Sequence, residues 1–188
     1  MDELVQLMEQ LRTHLPVSWE QFPDFPLYMD QVLSYMDRQV LRFEDDDGLT
    51  SAMVNNYTKA GLLPRAEGKK YNQEHLAYLT VICILKRVMS AKDMGVTLDA
   101  QLQQQPSVQE GYERFRESLS EALNRVADEM ERFPSEEKVA DAAVRFALMS
   151  YAAGLASSYY VARLRETAPT GQSAEKKTSK TKRRSTDA

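Results

Sequence analysis

Between Tyr112 and Phe133 seven apolar residues, Tyr112, Phe115, Leu119, Ala122, Val126, Met130 and Phe133, recur at steps of three and four. Only a helix of 3.6 residues per turn gathers such a set onto one face, so the spacing predicts a helix of about 26 residues. Pro134-Ser135-Glu136-Glu137 closes it and caps a following helix that continues to about Glu166. Two long helices with so short a connection predict an antiparallel hairpin. The same period marks Leu4, Leu7, Met8, Leu11 and Leu15 ahead of Pro16, and Tyr28, Val32, Tyr35, Met36 and Val40 within a helix from Leu27 to about Phe43. From about Asn72 to Ala91, Leu76, Leu79, Ile82, Cys83 and Leu85 make a helix apolar enough to require burial. The expectation is an all-α protein.

Breaks in this pattern divide the chain. Residues 1–26 pair the first helix with a loop in which Pro16, Pro23 and Pro26 surround Trp19, Phe22 and Phe25. Residues 27–92 form the next unit, and the glutamine-rich stretch 93–106, ended by Pro106, reads as a linker. The hairpin at 107–168 is expected to mediate self-association, its row Ser150, Gly154, Ser158 and Ala162 permitting close helix approach. Residues 169–188 are rich in Lys, Ser and Thr with alanine as their only aliphatic residue, the composition of a disordered basic tail.

Charge is unevenly distributed. The net charge is −4, yet residues 50–92 carry 7 basic and 2 acidic side chains, and the tail carries 6 and 2. Residues 1–49 carry 3 and 11. An acidic protein that concentrates positive charge in one internal block presents a local surface for a polyanion. Within that block a short helix is expected from Ser51 to Ala60, capped by Thr50 or Ser51 and stopped by Gly61. It exposes Asn55, Asn56 and Lys59, while Met53, Val54 and Tyr57 face the core. Asparagine can make a bidentate contact to adenine, and lysine can reach guanine or phosphate. Arg65, Lys69 and Lys70 follow in a polar, glycine-bearing stretch suited to a short hairpin that meets phosphates.

Other chemistry is poorly served. One cysteine, Cys83, and two distant histidines, His14 and His75, do not make the cluster a zinc site requires, and no cofactor or metal is expected. No phosphate loop or nucleophile elbow is present, so no catalytic residue is assigned. Cys83 is expected to pack inertly, and His75 to be a surface or capping residue. The acidic run Glu44-Asp45-Asp46-Asp47-Gly48 lacks EF-hand spacing and reads as a solvated turn. Phe146 to Ala162 is free of charge but short and serine-bearing for a membrane span, and the acidic N-terminus predicts no secretory signal. The expected location is the cytoplasm, without a membrane.

The run Thr50-Ser51-Ala52-Met53-Val54-Asn55-Asn56-Tyr57-Thr58-Lys59-Ala60-Gly61-Leu62-Leu63-Pro64 resembles the second helix and exit of MerR-type winged helix-turn-helix proteins. Lys69-Lys70-Tyr71-Asn72-Gln73-Glu74 is similar to that family's wing and the helix start behind it, and Leu27-Tyr28-Met29-Asp30-Gln31-Val32 to its first helix. The whole chain also resembles a bacterial family built on this module. The resemblance implies a winged helix-turn-helix over residues 27–92 and a transcriptional regulator that binds double-stranded DNA as a homodimer. It places Ser51, Asn55, Asn56, Lys59, Arg65, Lys69 and Lys70 at the DNA. Departures lie at Asn55 and Lys69, where the family commonly has arginine, at Thr58, where it has glutamate, and in the extra residues Gln39 to Gly48. A different class, a protein-binding adaptor using the Asn55, Asn56 and Lys59 face, fits the same surface. The aromatic set Tyr112, Phe115, Phe133, Phe146, Tyr151, Tyr159 and Tyr160 is expected to form core, or else to line the pocket of a small-molecule effector.

Overall fold

The computed structural model describes residues 2–41, 48–133 and 138–167. Among the described residues there are seven α-helices and no strand: α1 (Asp2–Thr13), α2 (Met29–Met36), α3 (Ser51–Ala60), α4 (Gln73–Leu85), α5 (Ala91–Leu98), α6 (Val108–Met130) and α7 (Val139–Thr167). The all-α expectation is met.

α4 is the central post. It is apolar all round, as a helix must be when other helices cover every side, and Leu76, Leu79, Val81 and Ile82 are fully buried. Around it gather Val32 and Met36 of α2, Val54 of α3, Met94 and Leu98 of α5 and Tyr112 of α6. α1 lies along α6, where Arg12 donates to Asp128 at 2.8 Å and to Glu131 at 2.7 Å. The proline-rich loop packs its aromatics inward. Phe22 stacks at 5.0 Å from Tyr112 and meets Trp19 edge-on at 5.9 Å.

Four expectations change in the structure. The second helix is shorter than its apolar pattern, covering Met29–Met36 rather than Leu27 to Phe43. Leu27 is instead held by Tyr71 in an antiparallel bridge with both hydrogen bonds at 2.8 Å, and Gln39 turns inward to accept the Val17 N–H at 3.2 Å. Residues 93–106 are not a bare linker. They contain most of α5 and a π-helical turn, Asp99–Gln103, and bury Met94, Leu98 and Leu102 in the common core. The glutamines do structural work: Gln101 Nε2 donates to the Gly111 carbonyl and Gln105 Nε2 to that of Ala100. The segment expected as a wing, residues 65–71, contains a tight turn and two isolated bridges rather than strands. Finally, α6 spends its apolar face mainly on α1, α4 and the π-turn, while α7 packs against α5. α7 meets α6 through the Arg145–Glu129 ion pair, and meets the chain just beyond α6 through Phe146 and Phe133, 6.5 Å between ring centres.

The acidic run at Glu44–Asp47, the Pro134–Glu137 connection and the basic tail lie outside the described residues.

Candidate nucleic-acid interface

α3 is built by chemistry at its two ends. The Thr50 side chain accepts the Met53 N–H at 3.2 Å, satisfying one orphan donor of the first turn. Gly61, at φ +75°, takes the left-handed conformation that closes the last turn, and the Leu62 N–H returns to the Tyr57 carbonyl at 2.9 Å. One face is fixed inward by Val54, fully buried, with half-buried Met53 and Tyr57 beside it. The outward face then presents Ser51, Asn55, Asn56 and Lys59, all exposed, at helical spacing. No acidic residue stands on this helix.

Beyond Pro64 the chain exposes Arg65 and reaches the turn Glu67-Gly68-Lys69-Lys70. Gly68 at φ +57° and Lys69 at φ +64° occupy its two central positions, and the Lys70 N–H returns to the Glu67 carbonyl at 2.9 Å. Positive φ at both central residues identifies type I′, the turn whose twist suits a tight hairpin. A lysine in the left-handed region is strained, since its Cβ approaches the following carbonyl. The base of the turn is pinned by the Leu27–Tyr71 bridge. Lys70 carries its ammonium 5.5 Å above the ring of Tyr28.

Tyr28 is the residue that periodicity misplaces. Its spacing assigns it to the apolar face of α2, but it occupies the N-cap position in extended conformation with its ring half in solvent.

Behind the turn, α4 begins with a reciprocal cap. The His75 N–H donates to Asn72 Oδ1 at 3.2 Å, and His75 Nδ1 lies 2.5 Å from the same oxygen and 3.2 Å from the Asn72 nitrogen. The ring is buried, meets Tyr71 edge-on at 5.4 Å, and leaves Nε2 without a well-formed hydrogen bond. Burial pushes its pKa below the ordinary histidine value against the opposing pull of the Arg65 backbone, Glu74 and Glu67. His75 is therefore the capping residue expected, but inside the protein rather than on its surface. Cys83 is half-buried against the core, as an inert thiol would be.

All seven residues assigned to nucleic acid are exposed, on α3 and on the segment leading from it to α4. Lys59, Arg65, Lys69 and Lys70 form no ion pair among the described residues. Elsewhere seven arginines, Arg12, Arg116, Arg125, Arg132, Arg145, Arg163 and Arg165, each meet a carboxylate of their own chain. The aromatic set expected to form core, or else an effector pocket, does not gather in one place. Tyr112 is core and Phe115 half-buried, whereas Tyr151, Tyr159 and Tyr160 point into solvent from α7.

A helical domain with a capped, acid-free surface helix and a basic turn is what fold and site define. Residues 17–115 match the model of a family described as a domain of unknown function, DUF1836, and the chain belongs to that family. No curated protein and no solved structure matches it. The match begins at the residue whose carbonyl receives the Tyr112 hydroxyl and takes in α2 to α5, the basic turn and the start of α6.

Proposed function

We propose that this protein is a sequence-specific regulator of transcription that binds double-stranded DNA as a homodimer, with residues 27–92 acting as a MerR-like winged helix-turn-helix. The observation that carries the reading is the contrast in charge pairing. Seven arginines outside the block meet carboxylates of their own chain, whereas Lys59, Arg65, Lys69 and Lys70 form no ion pair among the described residues and surround a helix bearing Asn55 and Asn56. Unpaired surface cations gain most from a polyanion, because phosphates displace their counterions.

In this reading α3 enters the major groove, Asn55 and Asn56 read bases, Ser51 and Lys59 contact the duplex at the two ends of the helix, and the turn holds the backbone. Selection from random DNA with the purified protein tests it. An enriched two-fold site is the expected result, with log affinity falling by about 0.9 per phosphate neutralised for each tenfold rise in salt. Asn55→Ala or Asn56→Ala should relax preference at one base pair by about 1–3 kcal/mol, and Lys69→Ala should weaken all sequences alike. Selection without enrichment, or DNA affinity indifferent to salt, would exclude the reading and leave the exposed face of α3 to a protein partner.

A further inference from the structure

Eight of the thirteen large apolar side chains exposed among the described residues lie on one helix, α7. This helix is fastened to its own chain at both ends. Near its start Arg145 pairs with Glu129 and Phe146 meets Phe133; near its end Val161 is buried and Arg165 pairs with Asp93 of α5. Phe146, Val161 and the half-buried Leu164 face the body, and Arg145 and Arg165 reach their carboxylates from the two flanks of the helix. On the far side of the helix from Phe146, Val161 and Leu164, at 100° per residue, runs an exposed stripe of Val144, Leu148, Tyr151, Leu155, Ser158 and Ala162 at steps of three and four. Val144, Leu148, Tyr151 and Leu155 leave 58–67% of their surface open.

The stripe is graded. Its first half is large and its second half, Ser158 and Ala162 with Gly154 alongside, is small; a Cβ placed on Gly154 would meet nothing within 4 Å. The surface that complements a large-to-small gradient is the same gradient reversed. We infer that α7 pairs with α7 of a second copy in antiparallel register, with Tyr151 facing the partner's Leu155, Leu148 the partner's Ser158, and Val144 the partner's Ala162. Parallel pairing would set large on large at one end and small on small at the other, and the helices would splay. Arg145, Arg163 and Arg165 are already engaged within the chain, so the face offers a charged partner little. Both copies together bury on the order of 1,000 Å², near the lower bound of stable interfaces. The anchors at both ends also hold the helix on the body, although by length and composition it could cross a membrane.

This pairing deepens the dimeric part of the proposed function and replaces a bundle of two hairpins by a single helix pair, since α6 is occupied by α1 and α4. The full chain in a Cys83→Ser background tests it. Light scattering should give twice 21.5 kDa, and Leu148→Asp with Leu155→Asp should return it to 21.5 kDa with an unchanged circular dichroism spectrum. Both side chains are exposed, so the change leaves the fold intact. Chains with Val144→Cys mixed with chains with Ala162→Cys should cross-link on oxidation, while neither cross-links to itself, because equal positions lie about 27 Å apart in this register. A wild-type mass of 21.5 kDa overturns the inference, as does self-cross-linking of Val144→Cys. So does a wild-type protein recovered as monomer on vesicles of phosphatidylcholine and phosphatidylglycerol, which would assign the stripe to a lipid surface. Cross-linked dimers that enrich no DNA site would leave the pairing standing and remove the DNA reading. A monomer that enriches one would do the opposite.

Discussion

Lys69 and His75 sit on either side of Tyr71 and respond to different variables. Lys69 is held at φ +64°, where a non-glycine residue costs roughly 1–2 kcal/mol. Lys69→Gly removes that strain, though glycine returns part of the gain through a freer unfolded chain. The expected outcome is a protein more stable by up to about 1 kcal/mol in urea unfolding and weaker on DNA at every sequence. A loss of stability would show that the lysine is not strained. His75 responds to pH. Its folded pKa lies below 6.5, so the folded state resists the proton that the unfolded chain accepts. Above that value both states are neutral and nothing is lost. As pH falls below it, stability should decline by at most about 1.4 kcal/mol per pH unit until the lowered folded pKa is passed. His75→Gln keeps a side chain able to close the cap and should flatten that slope between pH 7 and 5 in thermal unfolding.

Two interior glycines separate tight packing from open surface at the scale of an element. A Cβ on Gly111 of α6 would stand 2.4 Å from the Gln101 carbonyl oxygen, so Gly111→Ala should force backbone apart and cost about 1–3 kcal/mol. Gly154→Ala, with open space around it, should cost nothing and add up to about 1 kcal/mol of helix propensity. Denaturant midpoints of the two variants measure the contrast. The same tight approach explains where sequence reading faltered. α3 was legible to the residue because Thr50 and Gly61 mark both ends chemically. α5 and the π-turn were not, because Met94, Leu98 and Leu102 are spaced four apart among glutamines and charges that look solvated. Nothing local announces that the glutamine amides would close carbonyls of the π-turn and of α6. The exposure of every assigned DNA contact followed from charge and capping alone. The place of Tyr28 did not, because its bridge-bound neighbour Leu27 finds a partner 44 residues away in Tyr71.

For the whole molecule, charge outside the described body adds to charge upon it. Lys176, Lys177, Lys180, Lys182, Arg183 and Arg184 supply a second basic group with little apolar residue to fold around. A chain ended at Thr167 should keep its unfolding midpoint and its preferred DNA site while showing a shallower salt dependence. Changed preference would make the tail part of the reader. An unaltered slope would remove it from binding altogether. The family match, residues 17–115, covers the proposed reader and its supporting core, while α7 lies beyond it.

Three hydrogen bonds tie the stretch Pro16 to Trp19 to α6: Tyr112 Oη donates to the Val17 carbonyl at 2.8 Å, Arg116 Nε to that of Pro16 at 2.9 Å, and the Trp19 N–H donates to Glu113 at 2.6 Å. These partners are 94–100 residues apart along the chain. On the ribosome, at about 5–20 residues per second, roughly 5–20 s separate synthesis of the two sides. Through that interval Trp19 and Phe22 lack the Tyr112 ring, and α4 lacks the Tyr112 side of its core. The proposed reader therefore closes late in translation. Force measured on stalled nascent chains should stay low until residue 116 has cleared the exit tunnel and then rise in one step, and a rise while residues beyond 106 are still inside would show that the basic module matures without α6.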